Sequence, residues 1–412
     1  MKIAVVGSGI SGLVSAHVLS RRHDVVLFEA DARIGGHTHT VDVAEEGRGV
    51  PLDTGFIVFN ERTYPNFVKL LRQLGVAWKE SDMSFSVRSD RRDFEYGSPA
   101  LGALFAQKRN LVDPRFHRML LDIFRFYREA KELLNEGAEV PLLDWLEVRG
   151  YSRGFVEDHL LPLVGAVWSS SCQGVREFPA RFLARFFDNH GFLEVSRAFP
   201  WLTIDGGSRQ YVRAILGEFP GEVRTGSPVK RVERTDGVTV EAADQAPERF
   251  DHAVLAVHAD QALQMLADPS PLETALLSRF PYRPNKVRLH ADDRVMPRRK
   301  RAWASWNYHL DDAESDGATV TYWMNKLQRP QARRDYFVTL NREGAVASDQ
   351  TLLEITYDHP VFSPAATGAQ QRHGELLGHR DTSYCGAYWR NGFHEDGVVS
   401  ALAVCERFGE VL

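Results

Sequence analysis

Apolar residues run unbroken through Ile3-Ala4-Val5-Val6, the pattern of a strand buried on both faces. A glycine-rich turn follows from Gly7 to Gly12. Leu13 to Arg21 then takes up helical spacing, and Asp24 to Phe28 predicts a second buried strand that ends at Glu29. Farther on, Phe116, Met119, Leu120, Ile123, Phe126, Ala130, Leu133 and Leu134 recur every three or four positions, which predicts one amphipathic helix. Strand-like stretches dominate from 286 onward: Lys286 to His290, Ala302 to Tyr308, Thr319 to Met324, Tyr336 to Leu340 and Leu352 to Tyr357. Between these regions, Gln210 to Phe219 reads as a helix and Ala253 to Val257 as a buried strand. Gly226 to Val232 opens a strand meander that turns at Asp236-Gly237. The chain closes with Ser383-Tyr384-Cys385-Gly386, a turn at Asn391-Gly392, and a helix beginning near Glu395. The longest nearly continuous apolar run, Leu160 to Trp168, is broken by Pro162 and Gly165. It falls well short of the roughly 20 residues that a spanning helix requires.

The first 29 residues carry chemistry as well as pattern. Strand, Gly7-Ser8-Gly9-Ile10-Ser11-Gly12, helix, strand and acid occur in the order that binds a dinucleotide. Gly7 permits the tight turn, Gly9 lets the backbone approach a pyrophosphate, and Gly12 lets helix and strand pack closely. The helix start offers free N–H groups and a positive dipole end to the phosphates. Glu29 stands where a carboxylate accepts hydrogen bonds from the adenosine ribose.

The next residues narrow the cofactor. Ala30-Asp31-Ala32-Arg33-Ile34-Gly35-Gly36-His37-Thr38 resembles the turn that lies against the FAD diphosphate in the flavin-containing amine oxidase superfamily, which includes monoamine oxidases, protoporphyrinogen oxidases and carotenoid desaturases. Arg33, Gly35 and Gly36 match its R-x-G-G pattern, and His37 stands where many members have arginine. Asp53-Thr54-Gly55-Phe56 resembles the segment that passes the isoalloxazine ring. The resemblance also implies that the backbone of Val229 faces the adenine, and that a C-terminal turn and helix start meet the flavin pyrimidine and ribityl chain. Relatives commonly place an acid just after the strand glycine there; this chain has Ala387 and Tyr388, with Glu395 and Asp396 as substitutes beside Gly397 and Val398. Cys385 falls on the strand before the helix, not at the attachment cysteine of monoamine oxidases, so non-covalent FAD is expected.

The implied fold is α/β: a Rossmann-like FAD-binding domain of glutathione-reductase and amine-oxidase type, with an inserted α+β substrate domain. Residues 1–79, 201–274 and 381–412 are expected in the first, and 80–200, largely helical, with 275–380 in the second. The insertions are rich in aromatics. Trp168, Trp306, Tyr308, Tyr322 and Trp323, together with Asn325, are candidates to line a substrate tunnel.

A narrower resemblance rests on Gly55 to Asn60, Thr63 to Phe67, Met296 to Arg299, Ala302 to Tyr308, Tyr322 to Gln328, Tyr357 to Phe362 and Gly392 to Gly397. It covers essentially the whole chain. These stretches resemble bacterial FAD-dependent proteins encoded beside cyclopropane-fatty-acid synthases and fused to them in plants. The resemblance implies oxidation or desaturation of a methyl-branched or otherwise modified fatty acyl chain, with such a synthase as a candidate partner. Hydride would pass to flavin N5. An unactivated acyl C–H needs no strong base. Lys286 aligns with the lysine that holds a water near N5 in amine oxidases and is the one catalytic candidate. Amine oxidation is the alternative chemistry, and a non-catalytic FAD-binding partner of a lipid-modifying synthase is the alternative outside enzymology.

Bulk properties bound these readings. The chain has 412 residues, 43% hydrophobic and 25% charged, with a formal net charge of −5. This is the composition of a globular protein, and it gives no whole-molecule attraction to nucleic acid. Three well-separated cysteines, Cys172, Cys385 and Cys405, provide no zinc or disulfide framework. His37 and His39 are set aside as a metal pair because they lie beside the expected diphosphate. A strand starting at Lys2 leaves no room for a signal peptide, so a cytoplasmic protein is expected, free or peripheral at the inner membrane face. The basic run Arg294, Arg298, Arg299, Lys300 and Arg301 is a candidate contact for anionic phospholipid heads.

Overall fold

A computed structural model describes residues 1–98, 100–135, 140–168, 179–193, 199–310, 318–342 and 344–412. Cys172 lies outside them. β1 (Lys2–Val6), α1 (Ile10–Leu19) and β2 (Asp24–Phe28) form the first unit. β1 is central in a five-stranded sheet in which every pair is parallel; Thr382–Tyr384 and His252–Leu255 lie on one side of it, β2 and Glu222–Arg224 on the other. The unbroken apolar runs follow from this position. Ile3 and Val5 enter one apolar cluster with α1 and the C-terminal helix His394–Glu406, while Ala4 and Val6 enter another with the meander. That meander, Val229–Glu233, Val238–Ala242 and Glu248–Phe250, is a three-stranded antiparallel sheet.

The hairpin β3 (Thr40–Glu45) and β4 (Arg48–Asp53) leads out of this unit to α2 (Pro65–Gln73). A second, mixed sheet has seven strands, in the order Thr351–Pro360, Tyr282–His290, Phe337–Leu340, Val320–Trp323, Trp306–His309, Phe85–Ser89 and Phe94–Ser98. Helices Pro114–Leu133, Leu142–Val148, Leu161–Trp168 and Ala180–Asn189 contribute to the third apolar cluster with its inner face. The fold is therefore the α/β arrangement read from the sequence. It differs in detail. Phe85–Ser89 and Phe94–Ser98 lie in a stretch expected to be largely helical, yet they complete the sheet. The strand expected from Ala302 starts only at Trp306, after a short 3₁₀ turn at Lys300–Ala302. No helix among the described residues is long and apolar enough to cross a membrane.

Candidate functional site

The glycine turn is built by close approach. A Cβ on Gly12 would lie 1.8 Å from the Gly7 carbonyl oxygen, so only glycine lets α1 start against the loop. Gly7 itself has φ +98°, a left-handed conformation. Gly9 is different: a Cβ there would meet nothing within 4 Å. No side chain caps α1, and its first turn holds no acid. The positive end of the helix thus opens onto an empty face above Gly9, beside Ile10 and Ser11, which suits a diphosphate.

Neighbouring loops complete this end. The Ser8 and Asp31 amides donate to Glu29 at 3.0 and 2.9 Å, and the Ser8 hydroxyl donates to Glu29 as well. Ala30 is exposed beside it. The Gly35 amide donates to Ser8 Oγ at 3.1 Å. Arg33 donates to the Gly36 and Thr38 carbonyls, both at 2.8 Å, and so shapes the turn through its backbone. Ser227 N donates to the Glu29 carbonyl at 2.9 Å, which anchors the strand starting at buried Val229 beside the acid. Ser11 Oγ donates to the Gly397 carbonyl at 2.9 Å, and a Cβ on Gly397 would lie 2.6 Å from Ile10. The C-terminal helix, with buried Val398, is thereby held against the start of α1.

Beyond Gly36 the character changes from an open glycine turn to a cluster of largely buried rings. Phe56 N donates to the His37 carbonyl and Thr54 N to the His39 carbonyl, at 2.9 and 3.0 Å, so 53–56 runs beside 37–39. A Cβ on Gly55 would strike the His37 carbonyl at 2.1 Å. His37 lies 4.9 Å from Tyr357, 5.3 Å from His359 and 6.4 Å from His258, ring centre to ring centre. Its Nε2 is buried without a hydrogen-bond partner among the described residues. Burial, reinforced by His359 and His258, holds its pKa well below the usual histidine value. Burial likewise lowers His39 and His359 to about 4 and His394 to about 3. His394 stacks on Phe56 at 3.5 Å, and its Nε2 meets Thr38 Oγ1 at 3.1 Å and the Tyr211 hydroxyl at 3.0 Å.

The carboxylates nearby are engaged by side-chain and backbone donors. Asp53 accepts from Thr40, Ser208 and Gln328, and burial raises its pKa to about 6. Both Glu395 oxygens are engaged by α2, which donates from Asn66 N, Asn66 Nδ2 and Phe67 N at 3.1, 2.7 and 2.9 Å. Asp396 accepts from Phe393 N at 2.9 Å, and burial raises it to about 7. Tyr388 is buried against Phe280, Trp389 and Tyr282.

Strand pleat sorts the substrate-side candidates. Asn285 pairs with Tyr357, and Arg283 with His359, on the sheet face that meets the histidine cluster. Tyr357 hydroxyl contacts Thr54 Oγ1 at 2.8 Å and His39 Nδ1 at 3.1 Å; Asn285 contacts His359 at 2.9 Å. Lys286 is not part of this cluster. It pairs with Thr356 on the opposite face and is exposed. Trp306 pairs with Tyr322 and Tyr308 with Val320 on the inner face, where the helix ending at Trp168 packs on their strand. Trp323 faces the other way, packed edge-on to Trp303 with its Nε1 donating to Asp335. Asn325 bonds the 334–336 turn, to Arg334 O at 2.7 Å and Tyr336 N at 2.8 Å. Trp168 lies 4.3 Å from Phe186, which lies 5.1 Å from Phe393, the residue before His394. Sequence reasoning passed over His258, Asn285, Tyr357, His359, Phe393 and His394 as site residues. Polar side chains two apart on the inner pleat, Tyr357 and His359, were the available signal.

Residues 10–335 match the family model for flavin containing amine oxidoreductases. The chain belongs to that family. It is also 26% identical, over 274 residues, to the flavin-dependent L-tryptophan oxidase RebO of Lentzea aerocolonigenes; the match takes in 58% of this chain and 54% of RebO, so the chain spans about half the length of that relative. Two solved structures share the fold. Cyclohexylamine oxidase from Brevibacterium oxydans IH-35A superposes with a TM-score of 0.70 at 17% identity, over 99% of each chain. The fatty acid isomerase of P. acnes that produces CLA does so with a TM-score of 0.70 at 14% identity, over 98% of each chain. The protein is a flavin-dependent oxidoreductase of this family, and its open α1 terminus, Gly9 face and orphaned His37 nitrogen fit a dinucleotide flavin. Among the described residues, no group of His, Cys, Asp and Glu is arranged to hold a metal.

Proposed function

We propose that this flavoenzyme uses non-covalent FAD to oxidise a methyl-branched or otherwise modified fatty acyl chain, introducing a double bond. The aromatic path Trp168–Phe186–Phe393, which runs from the helices to the stacked pair His394–Phe56, carries the reading. Trp306, Tyr308 and Tyr322 line the neighbouring sheet face. Such a wall excludes water and receives a hydrocarbon.

In this reading the Gly7–Gly12 turn and α1 terminus hold the diphosphate, Glu29 the ribose, Val229 the adenine, and His37–Thr38 with Asp53–Phe56 and Gly397–Val398 the flavin end. When bound, FAD supplies a two-electron acceptor. The chain's own contribution is positioning: His37, His359 and His394 are held neutral by burial, and the carboxylates of Asp53, Glu395 and Asp396 are occupied by hydrogen bonds. No charged base is aimed at the substrate side by these groups, which suits a C–H that has no acidic proton. Non-covalent attachment is supported by Cys385, fully buried 3.7 Å from Ser15 with its thiol pushed up to about 12 by burial.

A second reading, oxidation of an amine or amino acid, is favoured by the likeness to an L-tryptophan oxidase. Incubation with lipids bearing methylated and cyclopropanated acyl chains separates the two. An acyl product lighter by one hydrogen pair supports the proposal. Ammonia release from amines, with lipids untouched, supports the second reading. A cyclopropane or methyl fatty-acid synthase remains the proposed partner protein.

A further inference from the structure

We propose that the outer face of helix Pro114–Leu133, with the segment leading into it, docks on an anionic lipid bilayer. The helix buries Phe116, Met119, Ile123, Phe126, Ala130 and Leu133. The opposite face mixes apolar with charged side chains. Leu121 and Phe124 stand on it, preceded by Leu101, Leu111 and Val112, and these five side chains are 54% to 82% exposed. They belong to one surface: Phe105 packs on Phe116 and His117, His117 Nε2 lies 2.8 Å from the Leu111 carbonyl, and the short helix carrying Leu101 packs on the Lys300–Ala302 turn. Large exposed apolar side chains gathered in one place mark an interaction site.

Charge selects the occupant. Lys108, Arg115, Arg128, Lys300 and Arg301 are exposed on these same elements, and among the described residues they form no ion pair. Of the acids on this helix and at its start, Asp113 caps it, Asp122 pairs with Arg118 and Glu129 pairs with Arg125, which leaves Glu132 exposed at the C-terminal end against these cations. The surface is therefore positive in a chain of net charge −5. A self-complementary dimer would bring these cations together. An acidic bilayer instead takes the cations at its headgroups and the leucines and phenylalanine below them, as interfacial helices do. The rest of the basic run expected to meet phospholipid is neutralised: Arg294 pairs with Asp292, Arg298 with Asp90 and Asp93, and Arg299 with Glu95. Only its Lys300–Arg301 end joins this surface. The inference does not depend on the acyl chemistry, since binding is read without turnover.

The test uses full-length, FAD-loaded protein sedimented with vesicles of phosphatidylglycerol and phosphatidylcholine, or of phosphatidylcholine alone. The wild type should bind the acidic vesicles, more weakly as salt rises. The variant Leu121→Ser/Phe124→Ser should bind at least about tenfold more weakly while keeping its flavin. Arg115→Gln/Arg128→Gln should lose the preference for phosphatidylglycerol, and Leu352→Ser, an exposed apolar residue elsewhere, should behave as wild type. Absence of wild-type binding, or wild-type binding by the apolar double variant, would overturn the assignment. So would a wild-type dimer that the double variant loses in ultracentrifugation, which would give the face to a second copy.

Discussion

Replacing Gly9 with alanine separates cofactor binding from folding. Gly9 sits at φ −63° and ψ 177°, which alanine adopts freely, and the added Cβ would meet no protein atom within 4 Å. The apoprotein should barely respond. An alanine at a helix N-cap costs at most about 1 kcal/mol, and reduced unfolded-state entropy returns about 0.4–1 kcal/mol. The flavin should respond strongly, because the methyl occupies the face where the diphosphate would meet the α1 amides. Losing one or two charge-assisted hydrogen bonds, about 1.5–3 kcal/mol each, raises Kd by roughly ten- to a thousandfold or more. Gly9→Glu adds a carboxylate and should retain no flavin at all. Gly12→Ala is the contrast: its Cβ would stand 1.8 Å from the Gly7 oxygen, so loop and helix must part and the apoprotein itself should melt early. Fluorescence titration of apoprotein with FAD and thermal melting without it read the two effects. FAD affinity in Gly9→Ala equal to wild type would refute the placement of the diphosphate.

Further outcomes follow from the same geometry. His39 and His359 are held near pKa 4 by burial while the unfolded side chains titrate near 6.5, so their neutral forms add stability above pH 6.5 that is lost as pH falls through 4. His359→Asn should flatten that part of the urea-unfolding profile by no more than about 3 kcal/mol at the acid end. Asp396, raised to about 7, has the opposite sign: its contribution is full below 3.8 and is lost as pH rises through 7, and Asp396→Asn should remove that slope. Glu395→Ala should lower stability by about 1–3 kcal/mol in chemical unfolding, because the Asn66 and Phe67 amides lose their acceptor. Acid precipitation should leave FAD in the supernatant, whereas pelleted flavin would contradict an inert Cys385.

Much of this was legible in the chain because local periodicity and local chemistry agreed. β1, the glycine turn, α1, β2 and Glu29 form one continuous segment, so strand pattern, glycine spacing and terminal acid could be checked against one another. The amphipathic pattern from Phe116 matched the helix Pro114–Leu133 for the same reason. What escaped depended on distant partners. Phe85–Ser89 alternates Phe85 and Val87 with Ser86 and Arg88, a short signal that becomes a strand by pairing with Trp306–His309, more than two hundred residues away. Glu395 reads as a first-turn helix acid near the flavin. Only the approach of α2 makes it that helix's cap. Lys286 illustrates register: one position along the strand decides whether a side chain meets the histidines or the solvent, and Asn285 holds the inner position. The histidine cluster is assembled from 37–39, 258, 359 and 394, so no single motif announced it.

The proposed reaction is oxidation of an acyl chain at a flavin held by this fold. Anaerobic spectroscopy of the purified, FAD-loaded protein with bacterial lipid extracts tests it most directly. Methylated or cyclopropanated acyl lipids should bleach the yellow flavin band. Bleaching by amines alone, with every lipid inert, would contradict it.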